Sequence, residues 1–141
     1  MKILFMCVAN SARSQLAEGL ARRMFPDAEV QSAGSRPGRL NSHAVAVMKE
    51  IGLDISHQFS KSTDDLPREF LADLDFVITL CAEEVCPVMI SRARKLHWPL
   101  TDPAPPAAGA ALTEAEALQR FRTARDLIAQ RLKTFHLELC P

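Results

Sequence analysis

The 141-residue sequence has no tyrosine, one tryptophan and only five glycines, and neither sign of charge is in excess. Lysine and arginine number 17 and aspartate and glutamate also number 17. That balance argues against a nucleic-acid binder, whose usual footprint is a basic excess or stripe. No apolar run approaches the roughly 18 residues of a membrane span. Repeats, linker-like stretches and collagen-like or disordered composition are also missing. What remains is ordinary globular material, 48% hydrophobic and 24% charged. A chain of this size buries roughly two-thirds of its unfolded surface, so one domain over residues 1–141 is expected to form a core without staples.

The first residues imitate a targeting signal. Ile3 to Val8 is a continuous apolar run, but it is too short for one, and polar Asn10, Ser11 and Arg13 follow at once. A buried strand explains it better. The mature chain is therefore expected to begin at Met1 and to work in the cytoplasm. In that reducing compartment Cys7, Cys81, Cys86 and Cys140 are not expected to form a static disulfide framework.

The pattern alternates strand and helix. A strand over Ile3–Val8 leads into a helix from Arg13 to Phe25, with Leu16, Leu20 and Met24 at i, i+4 and i+8 and Pro26 closing it. Val30–Ala33 reads as a strand ended by Gly34, Ser42–Ile51 as a helix stopped by Gly52, and Asp64–Leu74 as a weaker helix. Phe76–Leu80 and Leu96–Trp98 read as further strands, and Pro99–Gly109 as a proline-rich loop. Thr113 and Glu116 form a capping box that opens a last helix with Leu118, Phe121, Ile128, Leu132 and Phe135 on its apolar stripe. Such alternation predicts an α/β three-layer sandwich around a four-stranded parallel sheet.

The chemistry concentrates in Cys7-Val8-Ala9-Asn10-Ser11-Ala12-Arg13-Ser14, between the first strand and first helix. A cysteine and an arginine five residues apart can wrap a loop around a tetrahedral oxyanion. Backbone N–H groups and the helix N-terminus then face the anion, and Arg13 grips two of its oxygens. The same positive surroundings favour the thiolate of Cys7, the nucleophilic form, and Ser14 can donate a hydrogen bond to it. Asn10 suits a left-handed position in the loop. Cys-x5-Arg alone is a weak pattern; its place between a buried strand and a helix gives it weight. Asp102-Pro103 follows the fourth strand. Loops at the carboxyl ends of parallel strands gather on one edge, which makes Asp102 a candidate general acid beside Cys7.

These residues resemble the low-molecular-weight tyrosine phosphatase fold and, within it, the bacterial thioredoxin-coupled arsenate reductases. The resemblance rests on Cys7–Gly19, Ser32-Ala33-Gly34, Gly52–Ser56, Val77–Cys81, Cys86-Pro87, His97-Trp98 and Asp102-Pro103-Ala104. It spans most of the chain. A phosphatase of this family needs one cysteine and usually carries aromatic residues that sandwich a phosphotyrosine ring. Here tyrosine is absent, and Cys81 and Cys86 stand where the reductases carry two further cysteines.

The resemblance implies that Cys7 attacks arsenate with Asp102 assisting loss of water, and that Cys81 then attacks Cys7 to release arsenite. Cys86 would carry the disulfide outward to thioredoxin or another thiol reductant. Phosphate and sulfate are expected as competing oxyanions, and a monomer without cofactor or metal is expected. The alternatives are a phosphatase working through a phospho-cysteine, and a non-catalytic oxyanion or redox sensor.

This chain departs from the pattern in two places. Only four residues separate Cys81 from Cys86, fewer than in well-known members, and Ala12 replaces a loop cysteine outside the relay. Asn10, Glu18 and Ser32 resemble positions that bind potassium in some members; Lys61 is expected to supply that charge internally. A zinc site from Cys7, Cys81, Cys86 and His97 has only scattered spacing behind it. His43, His57, His136 and Cys140 are not singled out by any pattern.

Overall fold

The computed structural model describes residues 1–82, 91–104 and 111–139. Strand β1 (Lys2–Cys7) is followed by helix α1 (Arg13–Met24), strand β2 (Glu29–Gly34) and helix α2 (Ser42–Lys49). A 3-10 turn (Thr63–Asp65), the short helix α3 (Arg68–Ala72), strands β3 (Phe76–Thr79) and β4 (Arg94–His97), and the long helix α4 (Glu114–Leu139) complete the elements of the described residues. The strands form one parallel sheet in the order β2-β1-β3-β4, as the alternation of elements predicts.

The central strand shows why its sequence is apolar throughout. Ile3 and Phe5 face a core built with Leu16, Leu20, Phe121, Ile128 and Leu132 of α1 and α4. Leu4 and Met6 point the other way, into a smaller core with Leu66, Phe70 and Leu74 around α3. A strand covered on both faces has no polar face to alternate with. Helix α1 packs against β1, β2 and α4 and is buried without a break from Arg13 to Ala21, while Phe135 of α4 reaches the sheet directly at Phe76. Arg125 of α4 ties in α2 by donating to the Val47 carbonyl at 2.8 Å and to Glu50 at 2.9 Å.

Two elements differ from the sequence expectation. The weak helix expected over Asp64–Leu74 is broken, because Leu66 is extended and Pro67 starts α3 afresh. Strand β4 begins at Arg94 rather than Leu96; it is an edge strand whose Arg94 and Lys95 are exposed, so its first half carries no apolar signal. The capping box at α4 forms as expected, with Glu116 N donating to Thr113 Oγ1 and Thr113 N to Glu116 Oε1. Among the described residues no helix is long and apolar enough to cross a membrane.

Candidate active site

The loop between β1 and α1 is held from outside by its own carbonyl groups. Val8 O accepts from Arg36 N, Ala9 O from Gly38 N and Ser11 O from Asn41 N, each at 2.9 Å. Asn10 O accepts from Gln15 Nε2 at 2.9 Å and from Ser60 Oγ at 2.6 Å. C=O and N–H point in opposite directions across a trans peptide. Pinning four successive carbonyls outward therefore turns the N–H groups of Ala9, Asn10, Ser11 and Ala12 toward the inside of the loop. Asn10 adopts a φ of 50°, the left-handed conformation expected of it. No side chain caps α1, and its first turn carries no acidic residue. The positive end of the helix is thus left to the loop.

Close approach of another strand makes this curvature possible. Gly34, at the end of β2, lies directly under the loop; a Cβ there would collide with the Val8 carbonyl oxygen and come within 2.9 Å of Asn10 N. Only glycine fits without displacing the backbone.

Beneath the loop runs a chain of buried hydrogen bonds. Cys7 Sγ lies 2.8 Å from Ser14 Oγ, and Asn10 Nδ2 donates to Ser14 Oγ at 2.7 Å and to Ser32 Oγ at 2.9 Å. Ser32 Oγ donates to Glu18 Oε1 at 2.6 Å. The Asn10 amide is fixed in this sense because its oxygen accepts from the backbone N–H of Lys61 at 3.0 Å. Glu18 is buried and ion-paired with Arg22 at 3.1 Å, with Lys61 Nζ 3.6 Å from its other oxygen. Lys61 thus brings its charge to the group formed by Asn10, Glu18 and Ser32. Burial holds the Lys61 ammonium below the usual lysine range, against the opposing pull of Glu18.

Sheet register gathers the other candidates at the same edge. Met6 pairs with Thr79, so Cys7 and Cys81 sit one and two residues past a matched pair on neighbouring strands. Both are buried. Leu80 N donates to Met6 O at 2.9 Å and continues the ladder toward Cys81. Arg13, 4% exposed, donates through Nη1 to Leu100 O at 2.9 Å and to Leu80 O at 3.4 Å. Its Nη2 stands 3.9 Å from Asp102 Oδ2, and the Asp102 side chain is half exposed. A separation of 3.9 Å is longer than a hydrogen bond, so this contact is an ion pair only. Cys7, Arg13, Ser14, Cys81 and Asp102 therefore lie at the carboxyl ends of β1, β3 and β4. Cys86 and Cys140 lie outside the described residues.

Several supporting residues carry no sequence signal of their own. Gln15 is fully buried on α1 and donates to Asn10 and to the Phe59 carbonyl, while Gln58 Nε2 donates to Gln15 Oε1 at 2.8 Å. A glutamine between a serine and a leucine in a helical pattern looks like any surface residue; it is the nonlocal partners that bury it.

Comparison with known proteins gives the family. Residues 2–140 match the family described as low molecular weight phosphotyrosine protein phosphatase. The chain is 43% identical to an arsenate reductase from Halalkalibacterium halodurans over 94% of its length and 93% of that protein's. Its fold is similar to that of an arsenate reductase solved in a phosphate binding state, with a TM-score of 0.76, 31% identity and 98% of each chain covered. It also resembles a thioredoxin-dependent arsenate reductase of Corynebacterium glutamicum, with a TM-score of 0.66 and 27% identity, covering 97% of this chain and 62% of that one. Fold, loop and relatives converge: the chain belongs to the low molecular weight phosphotyrosine protein phosphatase family, among its arsenate reductases.

Proposed function

We propose that this protein reduces arsenate to arsenite through a covalent intermediate on Cys7 and a relay through Cys81 and Cys86. The loop from Val8 to Ser14 binds the oxyanion, with its inward N–H groups and Arg13 taking the oxygens. Cys7 attacks arsenic as a thiolate, its sulfur accepting the Ser14 hydroxyl hydrogen. Asp102 protonates the departing oxygen, which leaves as water, and a Cys7–arsenic bond remains.

Cys81 then attacks the sulfur of Cys7. A sulfur–sulfur bond forms, the sulfur–arsenic bond breaks, and its electron pair stays on arsenic, which leaves as arsenite. Cys86 attacks Cys81 next, forming a Cys81–Cys86 disulfide and freeing the Cys7 thiolate. A dithiol reductant of the thioredoxin kind restores the two thiols by oxidation of its own pair. Phosphate and sulfate, which share the tetrahedral geometry, compete for the loop.

The register of β1 against β3 supports this reading, because Cys7 and Cys81 follow the matched pair Met6–Thr79 by one and two residues. The similarity to a thioredoxin-dependent arsenate reductase supports the choice of reductant. The test is NADPH oxidation by the purified protein with thioredoxin and thioredoxin reductase. Oxidation that requires arsenate is expected. Hydrolysis of an aryl phosphate with no arsenate-dependent NADPH oxidation would overturn the reading in favour of a phosphatase.

A further inference from the structure

We propose that Arg120 is a positioning residue that holds the Asp102 loop in register from helix α4. This rests on the assignment of Asp102 as the acid. After β4 the chain stays attached to β3 through Trp98 N to Thr79 O at 2.8 Å and Leu100 N to Leu80 O at 3.2 Å, and Arg13 takes the Leu100 carbonyl. Beyond Leu100 this ladder ends. Asp102 is exposed and is followed by Pro103, which has no N–H to offer. Asp102 Oδ1 accepts from Ala104 N at 3.0 Å, and buried Pro103 and partly buried Ala104 seat the chain just beyond it, but the Asp102 main chain itself is held from elsewhere.

The link from α4 is Arg120 Nη2, which donates to the Asp102 carbonyl oxygen at 3.1 Å. The bond crosses a cleft of about 500 Å³, with Leu100 and Pro103 on one wall and Ala124 and Leu127 of α4 on the other. Arg120 stands on a firm base: the capping box fixes the start of α4, and Phe121 beside it is fully buried. The bond goes to the main-chain oxygen, so it places the residue without occupying a carboxyl oxygen.

A double-mutant cycle tests this, read as the single-turnover rate of arsenate-dependent thiol loss in the reduced protein. Asp102→Asn is expected to slow the step by about 10²- to 10⁴-fold. Arg120→Ala is expected to lower the maximal rate by about tenfold, with the half-saturating arsenate concentration changed by less than about twofold. Arg120→Lys, which keeps a donor and the charge, recovers part of the loss. On the Asp102→Asn background Arg120→Ala costs less than about twofold, because the group it positions is gone. An equal loss on both backgrounds would show that Arg120 acts without Asp102 and would overturn the proposal, as would a fully active Arg120→Ala beside a slow Asp102→Asn. A fully active Asp102→Asn would remove the assignment of the acid, and this proposal with it.

Discussion

Cys7 Sγ lies 2.8 Å from Ser14 Oγ, and that oxygen already accepts from the Asn10 amide at 2.7 Å. Once Cys7 is a thiolate, Ser14 can only be the donor of this bond, and the amide hydrogen on its lone pair orients the hydroxyl for that task. Ser14→Ala removes one charge-assisted hydrogen bond from the sulfur. Alkylation of Cys7 by iodoacetamide at neutral pH is expected to slow by about three- to tenfold. An unchanged rate would show that the hydroxyl does not favour the thiolate.

Gly34 bears on the loop from the other side. Gly34→Ala forces its Cβ against the Val8 carbonyl and Asn10 N, both backbone atoms that cannot swing away. The fold should survive at a cost of about 1–3 kcal/mol, since overpacking at one contact is usually absorbed by small backbone shifts. The loop should not: phosphate is expected to lose its protection of Cys7 against alkylation. Protection at the same phosphate concentration as in the unaltered protein would show that the loop tolerates the displacement.

Lys61 gives a pH dependence. Burial lowers its folded-state pKa below the value of the unfolded chain, so between the two values the unfolded state binds more protons. Its contribution to stability is therefore present above the unfolded value and is lost as pH falls through the folded one. Compared with Lys61→Met, the unaltered protein should gain in melting temperature as pH rises from neutral toward about 10.4, the ordinary lysine value. No gain in melting temperature relative to Lys61→Met over that range would contradict the buried, destabilised ammonium.

The relay order predicts a separation of the two chemical halves. Cys81→Ser should accept arsenate on Cys7 and hold the adduct, detectable by mass spectrometry of the intact protein, with no steady turnover. Sustained turnover with thioredoxin in that variant would rule out the proposed exchange.

Local sequence made the core of the site legible. The apolar run through Phe5, the Cys7–Ser14 stretch and the helix after it are contiguous, so the strand, loop and helix that build the anion site are written in one segment. The left-handed Asn10 and the Cys7–Ser14 contact follow from it directly. Residues supplied by register were harder to read. Gln15 depends on Gln58 and Phe59, Asp102 on Arg120 eighteen residues away, and the loop carbonyls on Arg36, Gly38 and Asn41. Where the structure broke an expected element, the cause was equally physical. Pro67 interrupts a weak apolar pattern, and Arg94 and Lys95 face solvent on an edge strand.

Reduction of arsenate by this chain's own cysteines can be followed through one turnover: the reduced protein is mixed with stoichiometric arsenate, quenched, alkylated and mapped by mass spectrometry. Arsenite in solution, an alkylated Cys7, and Cys81 and Cys86 joined in a disulfide are expected. Arsenate recovered unchanged with all three cysteines alkylated would contradict it.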